Sequence, residues 1–592
     1  MSILMALPVI SAMKKQWKYK PVDTSAVQAL QVELGVNATM AKLLYLRGVK
    51  SKEQADKFFN PSFDDLHDPY LLKDMDLAIS RLETAISKGQ RILLYGDYDV
   101  DGVTSVSLLY SFLKRYTEHL DFYIPDRYKE GYGLTLQGVD YAKQNDVKLL
   151  ITMDCGTTAL TQIQEAKAKG IDVIVLDHHL PVDELPPTVA LINPKQTDCP
   201  YPFKDLSGCG VTFKFAQAYA AHLGMPRRAL IPLLDFVATS IACDYVPIVG
   251  ENRILATFGL HQINHNTRVG LKALIARTNY TYPFSISDIV FGIGPYINAA
   301  GRLSDGKEAV RLLLAEDWLV ASEYANILRE RNTQRRIFDR KNLAEAIKVW
   351  ESNEHHSKVP IVVLFQANWH KGVLGIVASR MAKHYHKPAV IMCESNGEIV
   401  ASARSTPTID IHELLKQSEH LLTTFGGHPK AAGFSMPPEN LEALTRNLLQ
   451  SMQGVSAAQQ TPTLFIDSEL ELKDITPKFM EELHKLAPLG PGNPNPLFVC
   501  ENVEVAGPIR YIEKNSIRLL VAKENSKRFK AVGFRKGDYI DQINSQEFAM
   551  CFKIIESVWK GEKQLQLQMK DIFEGEIKQP LPISTSELKE EE

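Results

Sequence analysis

The chain has 592 residues, which is too long for one compact core and suggests about four domains at roughly 150 residues each. Apolar residues make up 45% and charged residues 23% of the chain, a composition that excludes a mostly disordered, collagen-like or coiled-coil protein. The net charge of -3 excludes a uniformly basic surface, so any nucleic-acid site must be a local patch.

The cysteines and the apolar stretches indicate the cellular compartment. Seven cysteines are scattered without a CxxC pair, which argues against a disulfide framework or a structural zinc site. No apolar stretch reaches the roughly 18 residues that a membrane-spanning helix needs. Lysines follow the apolar run at residues 3–10, whereas in a signal peptide the positive charges come before the apolar run. We therefore expect a cytoplasmic protein without a membrane contact, with a signal peptide as the minor alternative.

The predicted elements of the first half form an α/β domain. Residues 1–90 are predicted to be a mainly helical segment. Five short apolar runs then follow at helix-length spacing, at residues 91–95, 120–124, 147–153, 171–176 and 189–192. Such runs are typical of parallel strands that are buried on both faces. Residues 91–307 are therefore predicted to be a doubly wound α/β domain, in which ligands bind beyond the carboxyl ends of the strands.

The second half contains three further predicted regions and a tail. Residues 308–350 contain no Gly or Pro and predict one or more long connecting helices. Residues 351–455 predict a second, smaller α/β domain. Short alternating strands within residues 464–575 predict a small β-barrel or sandwich. The acidic end, residues 576–592, is predicted to be a flexible tail.

Acidic residues and histidines follow three strands of the predicted parallel sheet: Asp97, Asp99, Asp101, Asp154, Asp177, His178 and His179. Because the carboxyl ends of parallel strands share one edge, these side chains are expected to converge, and uncompensated carboxylates would repel one another there. Oxygen and imidazole ligands without a thiolate suit Mn²⁺ or Mg²⁺. Two such ions would activate a water molecule and stabilise an in-line phosphoryl displacement.

Each of these residues also has an ordinary structural explanation. An aspartate at the end of a strand often caps the next helix, and a single histidine is usually packed or on the surface. The coincidence of such residues at three strand ends favours a metal site over these alternatives.

The motif Asp97-Tyr98-Asp99-Val100-Asp101-Gly102, the isolated Asp154 and the triplet Asp177-His178-His179 resemble the signature of the DHH phosphoesterase superfamily. Within it, residues 294–303 (GPYINAAGRL), 369–380 (WHKGVLGIVASR) and 426–433 (GGHPKAAG) resemble the RecJ family of single-strand-specific 5′ to 3′ exonucleases. The resemblance covers about residues 91–573. It implies a DHH catalytic domain at 91–307, a DHH-associated phosphate-binding domain at 351–455 and an OB-fold nucleic-acid-binding domain at 464–575. It also implies two Mn²⁺ or Mg²⁺ ions and a role in DNA repair and recombination.

The resemblance assigns metal ligands residue by residue. One ion would be bound by Asp99 and Asp154, with Asp97 nearby. The second ion would be held by four residues, of which Asp154 bridges the two ions: Asp101, Asp154, His178 and Asp244. Asp244 follows a helical apolar segment, so only the resemblance identifies it.

The resemblance also assigns roles to residues beside the ions. His179 would face the scissile phosphate, and Asp177 would orient a histidine. Tyr95 stands where some members of the superfamily have a metal-binding histidine.

Two groups in the second α/β domain suggest a phosphate site. Ser402 and Arg404 form one group, and the Gly426-Gly427-His428 turn forms the other. Glycine lets the backbone approach a phosphate, and arginine offers two parallel donors to its oxygens. A Gly-Gly-His turn alone is usually only a turn. Together with Arg302 from the first domain, these residues predict a clamp between the two lobes for a 5′-phosphate.

A basic segment in the C-terminal domain suggests a path for a single strand. Between residues 510 and 536, nine cations interleave with Tyr511, Phe529 and Phe534. Cations for the backbone and aromatic faces for stacking are what a single-strand platform requires. The densest part of this segment is Lys527, Arg528 and Lys530. The alternative is a solvated basic face.

The leading hypothesis is a metal-dependent exonuclease that hydrolyses single-stranded DNA from a 5′ end, with the polarity taken from the resemblance alone. A phosphodiesterase for short oligonucleotides or dinucleotide signals is disfavoured, because a small substrate needs neither the barrel nor the connecting helix. A catalytically silent single-strand-binding scaffold is disfavoured, because every expected ligand is present. Besides single-stranded DNA, a single-strand-binding protein and a helicase are candidate partners, and a monomer is expected.

Overall fold

The computed structural model describes residues 15–353, 356, 359–455, 461–512, 515–545, 547–559 and 562–573. The chain divides into two compact units. The parallel-sheet unit comprises residues 60–336 and 488–494, and the composite unit comprises the described parts of residues 15–59, 337–487 and 495–573. The predicted acidic tail at 576–592 lies outside the described residues.

The composite unit begins with a strand that the prediction of a mainly helical start did not include. β1 (Gln16–Tyr19) pairs in parallel with Thr463–Ile466, far along the chain. A four-residue strand with so distant a partner leaves no local signal in the sequence. Three helices follow: α1 (Thr24–Leu34), α2 (Ala38–Tyr45) and α3 (Lys52–Phe59).

The parallel-sheet unit contains the five strands that the apolar runs predict. With its first helices, it consists of α4 (Met75–Ser87), β2 (Ile92–Gly96), α5 (Val100–Leu113), β3 (Leu120–Tyr123), α6 (Leu136–Gln144), β4 (Leu149–Met153), α7 (Leu160–Ala168), β5 (Asp172–Leu176) and β6 (Ala190–Ile192). The strand order is β3-β2-β4-β5-β6, and every pairing is parallel.

Helices cover both faces of this sheet. Leu94 and Ile151 belong to a core with α4 and α5, whereas Leu93 and Leu150 belong to a second core with α6 and α7. This follows from the alternation of side chains along a strand, with both faces apolar. The predicted doubly wound α/β fold is therefore confirmed.

The rest of the parallel-sheet unit is helical. It contains α8 (Gly208–His222), α9 (Leu234–Cys243), α10 (Gly250–His265), α11 (Val269–Ile275), α12 (Ile286–Asp288), α13 (Gly294–Leu303) and α14 (Lys307–Leu314). α15 (Trp318–Glu351) is the longest helix and crosses from the parallel-sheet unit into the composite unit at residues 336–337. The segment predicted as one or more connecting helices contains nearly all of α14 and α15.

The composite unit continues with a five-stranded sheet in the order β10-β11-β9-β8-β7. Its elements are β7 (Val362–Phe365), α16 (Leu374–Tyr385), β8 (Ala389–Ser395), β9 (Glu398–Arg404), α17 (Ile411–Lys416), β10 (Thr424–His428), β11 (Ala431–Met436) and α18 (Leu441–Ser451). The prediction that Gly426, Gly427 and His428 form a turn was wrong, because they lie within β10. The turn is at residues 429–430, where β10 and β11 form an antiparallel hairpin.

The C-terminal part of the composite unit is a barrel. Its elements are β12 (Thr463–Ile466), β13 (Ser468–Glu469), α19 (Pro477–His484), β14 (Phe498–Val505), β15 (Arg510–Ile512), β16 (Ser516–Ala522), β17 (Phe529–Gly533), α20 (Ile540–Ser545), β18 (Phe548–Trp559) and β19 (Glu562–Phe573). Strands run in the order β14-β18-β19-β17-β16, and β14 also pairs with β16. This pairing closes a five-stranded barrel, which confirms the predicted OB-fold.

Two further sequence predictions concern cysteines and membrane spans. All seven cysteines are unpaired, and six of them are buried. No described helix combines the length and the apolar character that crossing a bilayer requires.

Candidate metal centre

The centre of the site is one imidazole nitrogen among three carboxylates. His178 Nε2 lies 3.2 Å from Asp154 Oδ1, 3.7 Å from Asp244 Oδ2 and 3.8 Å from Asp101 Oδ2. Ligand atoms that share one divalent ion at about 2.1 Å lie about 3 Å apart, so these spacings are close to those of a coordination shell. Burial lowers the pKa of His178, which favours the neutral ring that a metal ligand requires.

Four different elements deliver these side chains. Asp154 follows β4 and has a left-handed backbone with φ 57°. His178 follows β5, Asp101 lies in the first turn of α5, and Asp244 is the C-terminal cap of α9. The parallel sheet therefore brings together the strand-end residues, as expected, while Asp244 reaches the same place from a helix.

Asp101 is held in place by groups that sequence reasoning missed. Its carboxylate accepts hydrogen bonds from Gly208 N at 2.7 Å, Cys209 N at 2.8 Å and Ser240 Oγ at 2.6 Å. The two backbone donors belong to the first turn of α8, where N–H groups have no partner within the helix. A carboxylate has about four acceptor positions, so these bonds leave capacity for a metal. The Ser207-Gly208-Cys209-Gly210 sequence is a helix-start signal that could have indicated this contact.

Asp99 caps a helix, which is the ordinary structural role considered above for an aspartate at the end of a strand. Its Oδ1 accepts hydrogen bonds from Asp101 N at 2.9 Å and Gly102 N at 3.2 Å, so it caps α5. Among the described residues, potential ligand atoms lie within 4.8 Å of one another in two groups, Asp101-His178-Asp244 and Asp154-His178-His179. Neither group includes Asp97 or Asp99.

The carboxylates repel one another without a cation. Burial raises the pKa of Asp154 well above its usual value, and the charges of Asp101 and Asp99 raise it further. The pKa of Asp244 is raised by burial and the same two charges. Burial and then the charge of Asp99 raise the pKa of Asp97.

Several buried polar atoms of this centre accept or donate no hydrogen bond. They are both carboxylate oxygens of Asp97, both ring nitrogens of His178 and Oδ2 of Asp244. Buried polar atoms without partners are rare in folded proteins and require an explanation such as a missing ion. A divalent cation would satisfy one ring nitrogen of His178 and Oδ2 of Asp244 and would remove the repulsion, so the donor set fits Mn²⁺ or Mg²⁺.

His179 is oriented by Asp177. Its Nδ1 lies 2.7 Å from Asp177 Oδ1, and its Nε2 lies 3.1 Å from the hydroxyl of Tyr132. Although burial opposes protonation, the hydrogen bond and charge of Asp177 raise the pKa of His179. Burial would raise the pKa of Asp177, yet the hydrogen bond from His179 and the nearby histidine charges lower it below its usual value. Asp177 is fixed in turn by Thr157 N at 2.9 Å.

Aromatic and basic groups beside His179 were also missed by sequence reasoning. Tyr132 is 57% exposed, and its ring meets that of Tyr98 edge-on at 6.1 Å. The Arg127 guanidinium lies 5.1 Å from the centre of the Tyr98 ring. Arg302 is at the end of α13. This helix passes close to Tyr98, since a Cβ on Gly301 would lie only 2.3 Å from Tyr98 O. Arg127 and Tyr132 lie in an irregular segment, so no periodicity marks them.

Most of the predicted phosphate-binding residues of the composite unit share one sheet face. Ser402 pairs with Gly433, which pairs with Gly426, and Arg404 pairs with Ala431, which pairs with His428. Residues two apart on a strand point to the same side, so both rows lie on one face. Four of the predicted residues lie there: Ser402, Arg404, Gly426 and His428. The face is shallow because glycine and alanine separate the polar side chains.

Glycine is required at two positions around this face. Gly427 has φ 152°, and a Cβ there would lie 2.5 Å from Ala431 O. A Cβ on Gly375, in the first turn of α16, would lie 2.8 Å from Arg404 Nη2 and 3.1 Å from Ser402 Oγ. Arg404 Nη1 donates to Ser402 Oγ at 3.0 Å. The start of α16 therefore lies directly beside the Ser402 and Arg404 pair.

In the basic segment of the barrel, some cations are exposed and others form ion pairs. Lys527 and Arg528 are exposed, and the Lys527 ammonium lies 4.9 Å from the centre of the Phe529 ring. Lys530 is exposed and donates to Gln564 at 2.7 Å. Two other cations of the segment form ion pairs, Lys523 with Glu471 at 2.7 Å and Lys536 with Asp571 at 3.4 Å.

Comparison with known proteins agrees with this architecture. Three family models match: the DHH family, N-terminal domain, at residues 91–241, the DHHA1 domain at 358–454 and the RecJ OB domain at 466–571. The Single-stranded-DNA-specific exonuclease RecJ of Bacillus subtilis (strain 168) is 35% identical over 567 residues, which cover 95% of this chain and 71% of the relative. The chain belongs to the RecJ family.

Solved RecJ structures show the same fold. The crystal structure of RecJ in complex with Mn²⁺ from Thermus thermophilus matches with a TM-score of 0.81 and 27% identity, covering 95% of this chain and 80% of that one. The Mg²⁺ complex of the same RecJ matches with a TM-score of 0.76 and 25% identity, covering 95% and 79%. The resemblance inferred from the sequence motifs is thereby confirmed.

We predict that Gly208→Ala displaces Asp154 and weakens metal binding. A Cβ at residue 208 would lie 2.7 Å from Asp154 Cβ and 2.9 Å from its Oδ1, closer than real contacts allow. We expect at least about a 10-fold loss of Mn²⁺ affinity by titration calorimetry. Gly210→Ala is the matched control, because its Cβ would lie 3.4 Å from Leu206. Equal Mn²⁺ affinity in the two variants would contradict the prediction.

We predict that Mn²⁺ stabilises the protein more at high pH. Because the pKa values of Asp97, Asp154 and Asp244 are raised, the metal-free folded state binds more protons than the unfolded chain above about pH 4. This contribution to stability is present at low pH and is lost as the pH rises through the raised pKa values. The increase in melting temperature on adding Mn²⁺ should therefore be larger near pH 8 than near pH 6. A pH-independent increase would contradict this prediction.

Proposed function

We propose that this chain is a metal-dependent exonuclease that hydrolyses phosphodiester bonds of single-stranded DNA in the 5′ to 3′ direction. The observation that carries the proposal is the buried cluster of His178 and three carboxylates, whose unpartnered atoms call for a divalent cation. Membership of the RecJ family supports the substrate, because its curated relatives are named single-stranded-DNA-specific exonucleases, while the polarity rests on the motif resemblance.

The residues of the cluster divide into two proposed ligand sets that share Asp154. Asp99 and Asp154, with Asp97 nearby, would hold one Mn²⁺ or Mg²⁺ ion. Four residues would hold the other: Asp101, Asp154, His178 and Asp244. When bound, the two ions supply an activated water and positive charge for an in-line displacement at phosphorus. Asp101 contributes a fixed position, because the α8 backbone and Ser240 hold both of its oxygens.

His179 and Asp177 would act on the scissile phosphate. Asp177 holds a proton at His179 Nδ1 and stabilises the imidazolium form, which leaves Nε2 as the outward-facing donor. Such a donor stabilises the charge that develops on a phosphate oxygen. Tyr132 already places a hydroxyl at the position next to Nε2, 3.1 Å away. An oxygen atom at hydrogen-bond distance from Nε2 supports this role for His179.

The remaining predicted residues would hold the strand. In the composite unit, Ser402, Arg404, Gly426, Gly427 and His428 would bind the 5′-phosphate, with Arg404 as the principal donor. In the parallel-sheet unit, Arg302 would bind phosphate beside Tyr98.

The barrel would contact the strand through three cations, Lys527, Arg528 and Lys530. The ring of Phe529 beneath Lys527 holds that ammonium at the surface. Cations along a barrel surface neutralise backbone phosphates without reading sequence.

We also propose the biological setting that RecJ family membership suggests. The enzyme would act in DNA repair and recombination in the cytoplasm, where its seven unpaired cysteines stay reduced. A single-strand-binding protein and a helicase would be its partners, and it would act as a monomer.

We predict that Asp154→Asn and Asp244→Asn abolish hydrolysis without destabilising the metal-free protein. Each change removes a metal ligand, and it also removes a buried charge whose pKa is raised by burial and like-charged neighbours. We expect roughly 100-fold or greater loss of hydrolysis of end-labelled single strands with Mn²⁺. The metal-free melting temperature should stay the same or rise. Asp183→Asn, at an exposed position of the same unit, is the control. Substantial turnover by either ligand variant would contradict the metal assignment.

We predict that Arg404→Gln removes the preference for a phosphorylated 5′ end. The neutral amide cannot offer the two charged parallel donors of a guanidinium. Rates on 5′-phosphate and 5′-hydroxyl strands should therefore become similar, mainly through slower hydrolysis of the phosphorylated strand. Arg446→Gln, at an exposed position of α18, is the matched control. An unchanged preference in Arg404→Gln would refute this assignment.

A further inference from the structure

A second group of cations lies in the composite unit, apart from the Lys527 to Lys530 segment. It contains Lys15 before β1, Lys383 in the last turn of α16, Lys553 on β18 and Lys570 on β19. Lys15 Nζ donates to Lys570 O at 3.3 Å, and Lys553 pairs with Gln568, two residues before Lys570. The segment before β1 and the β18–β19 hairpin, which are far apart in sequence, thus bring three of these lysines to one place.

The acidic groups nearest to these lysines are already engaged. Asp571 accepts hydrogen bonds from Trp17 Nε1 at 2.9 Å and from Tyr539 at 2.8 Å, and it pairs with Lys536. Asp467 pairs with Lys20 at 3.1 Å and accepts a hydrogen bond from Leu497 N. Within the described ranges, no carboxylate lies within 4.0 Å of the ammonium groups of the four lysines.

None of the four ammonium groups thus forms an ion pair with a described carboxylate, although the charge of Asp467 acts on Lys553. Burial, together with the charges of Lys553, Lys15 and Lys383, lowers the pKa of Lys570 to about 8. Burial also lowers the pKa of Lys553. Nearby, His384 Nε2 is buried without a hydrogen-bond partner, and burial lowers the pKa of this ring too. Lys15, Lys553 and Lys570 are half-buried and Lys383 is exposed, and a bound anion would relieve the repulsion among their charges.

Two aromatic rings, Trp17 and Phe573, are close in sequence to two of the lysines and contact each other. Trp17 and Phe573 have ring centres 5.9 Å apart, and Phe573 is 42% exposed. The hydrogen bond from Trp17 Nε1 to Asp571 fixes the tryptophan ring. Each ring is two or three residues from a lysine of the cluster, Trp17 from Lys15 and Phe573 from Lys570. Positive charge for phosphates next to aromatic faces for bases is the chemistry of single-strand binding.

We propose that Lys15, Trp17, Lys383, Lys553, Lys570 and Phe573 form a second binding surface for single-stranded nucleic acid, which we call the junction surface. It includes residues of the N-terminal strand and the residue before it, the last turn of α16, the middle of β18 and the end of β19. The rings favour nucleic acid over an acidic peptide, which would need only the cations. The inference rests on the proposed function, because it assigns the surface to additional nucleotides of the same substrate. It would let the chain hold a long strand more tightly than a short one.

The test compares strand lengths and salt dependence in the full chain. The triple variant Lys15→Gln, Lys383→Gln, Lys570→Gln removes three cations, and each cation that contacts a single strand contributes about 0.7 to the salt slope. For a strand of about 40 nucleotides, we expect the slope of log affinity against log salt to fall by about 2, with roughly 10-fold or greater loss of affinity near 0.1 M salt. Binding is measured by fluorescence anisotropy in the Asp154→Asn background, so that the strand stays intact.

A short strand and a charge-matched variant provide the controls. Hydrolysis of a strand of about 6 nucleotides, measured with Asp154 intact, should stay within about 2-fold of the unmodified chain, because about 4–16 nucleotides occupy a single OB-fold site. Lys416→Gln, Lys473→Gln, Lys478→Gln makes the same change in net charge at exposed positions of the same unit and should leave the slope unchanged. If the triple variant is unstable, Lys570→Gln alone is tested in its place. This single change should lower the slope of log affinity against log salt by about 0.7.

The outcomes separate the two proposals. An unchanged slope and affinity for the long strand in the triple variant would overturn the junction surface while short-strand hydrolysis still supports the exonuclease. Binding of a poly-glutamate peptide that is lost in the triple variant, with DNA affinity intact, would also overturn it and indicate an acidic protein segment. Absence of hydrolysis in the unmodified chain with Mn²⁺ would instead refute the exonuclease, whatever the binding shows.

Discussion

The repulsion among buried carboxylates at one edge of the parallel sheet is the constraint on which the rest of the site depends. Asp101, Asp154 and Asp244 surround His178 Nε2 within 3.8 Å. Such an arrangement is unfavourable unless a cation compensates for it, so the surrounding structure must hold the ligands in place beforehand. The first turn of α8 does so through its backbone donors to Asp101, and Gly208 keeps the approach to Asp154 open. The positions of Asp101 and Asp154 thus depend on backbone groups at the start of α8 as well as on their own strands and helices.

The sequence predicted the parts of the fold that local patterns determine. The five apolar runs located the strands of the parallel sheet to within two residues, because buried parallel strands have continuous apolar runs. The strand β1 was missed, because its stability depends on a partner more than 440 residues away. The Gly426-Gly427-His428 segment was misinterpreted because glycine usually marks turns, whereas here small residues are needed inside a hairpin strand, at a shallow face beside Arg404.

The residues of the candidate site also divide into those that local sequence patterns predict and those that only the complete fold places. Asp154 and His178 could be predicted because parallel strands place their carboxyl ends together. Asp244 required resemblance to a family, since nothing in a helix such as α9 indicates that the residue after it faces a distant sheet edge. Arg127 and Tyr132 could not be found from the sequence at all, because they lie in an irregular segment whose side chains are placed only by tertiary contacts. Residue type indicates the chemistry, but the positions that loops and helix ends contribute depend on the complete fold.

The pairing of β1 with Thr463–Ile466 constrains the order in which the chain can fold. The parallel-sheet unit is encoded almost entirely by residues 60–336, whereas the composite unit is assembled from pieces on both sides of it. During synthesis, the metal-binding sheet can therefore form while the first 59 residues still lack their partner strand, since domains generally fold as units as the chain emerges. The N-terminal segment has to wait until residue 466 has been made. Contacts of such long sequence separation form slowly, so closure of the composite unit is expected to be the late step in maturation of the enzyme.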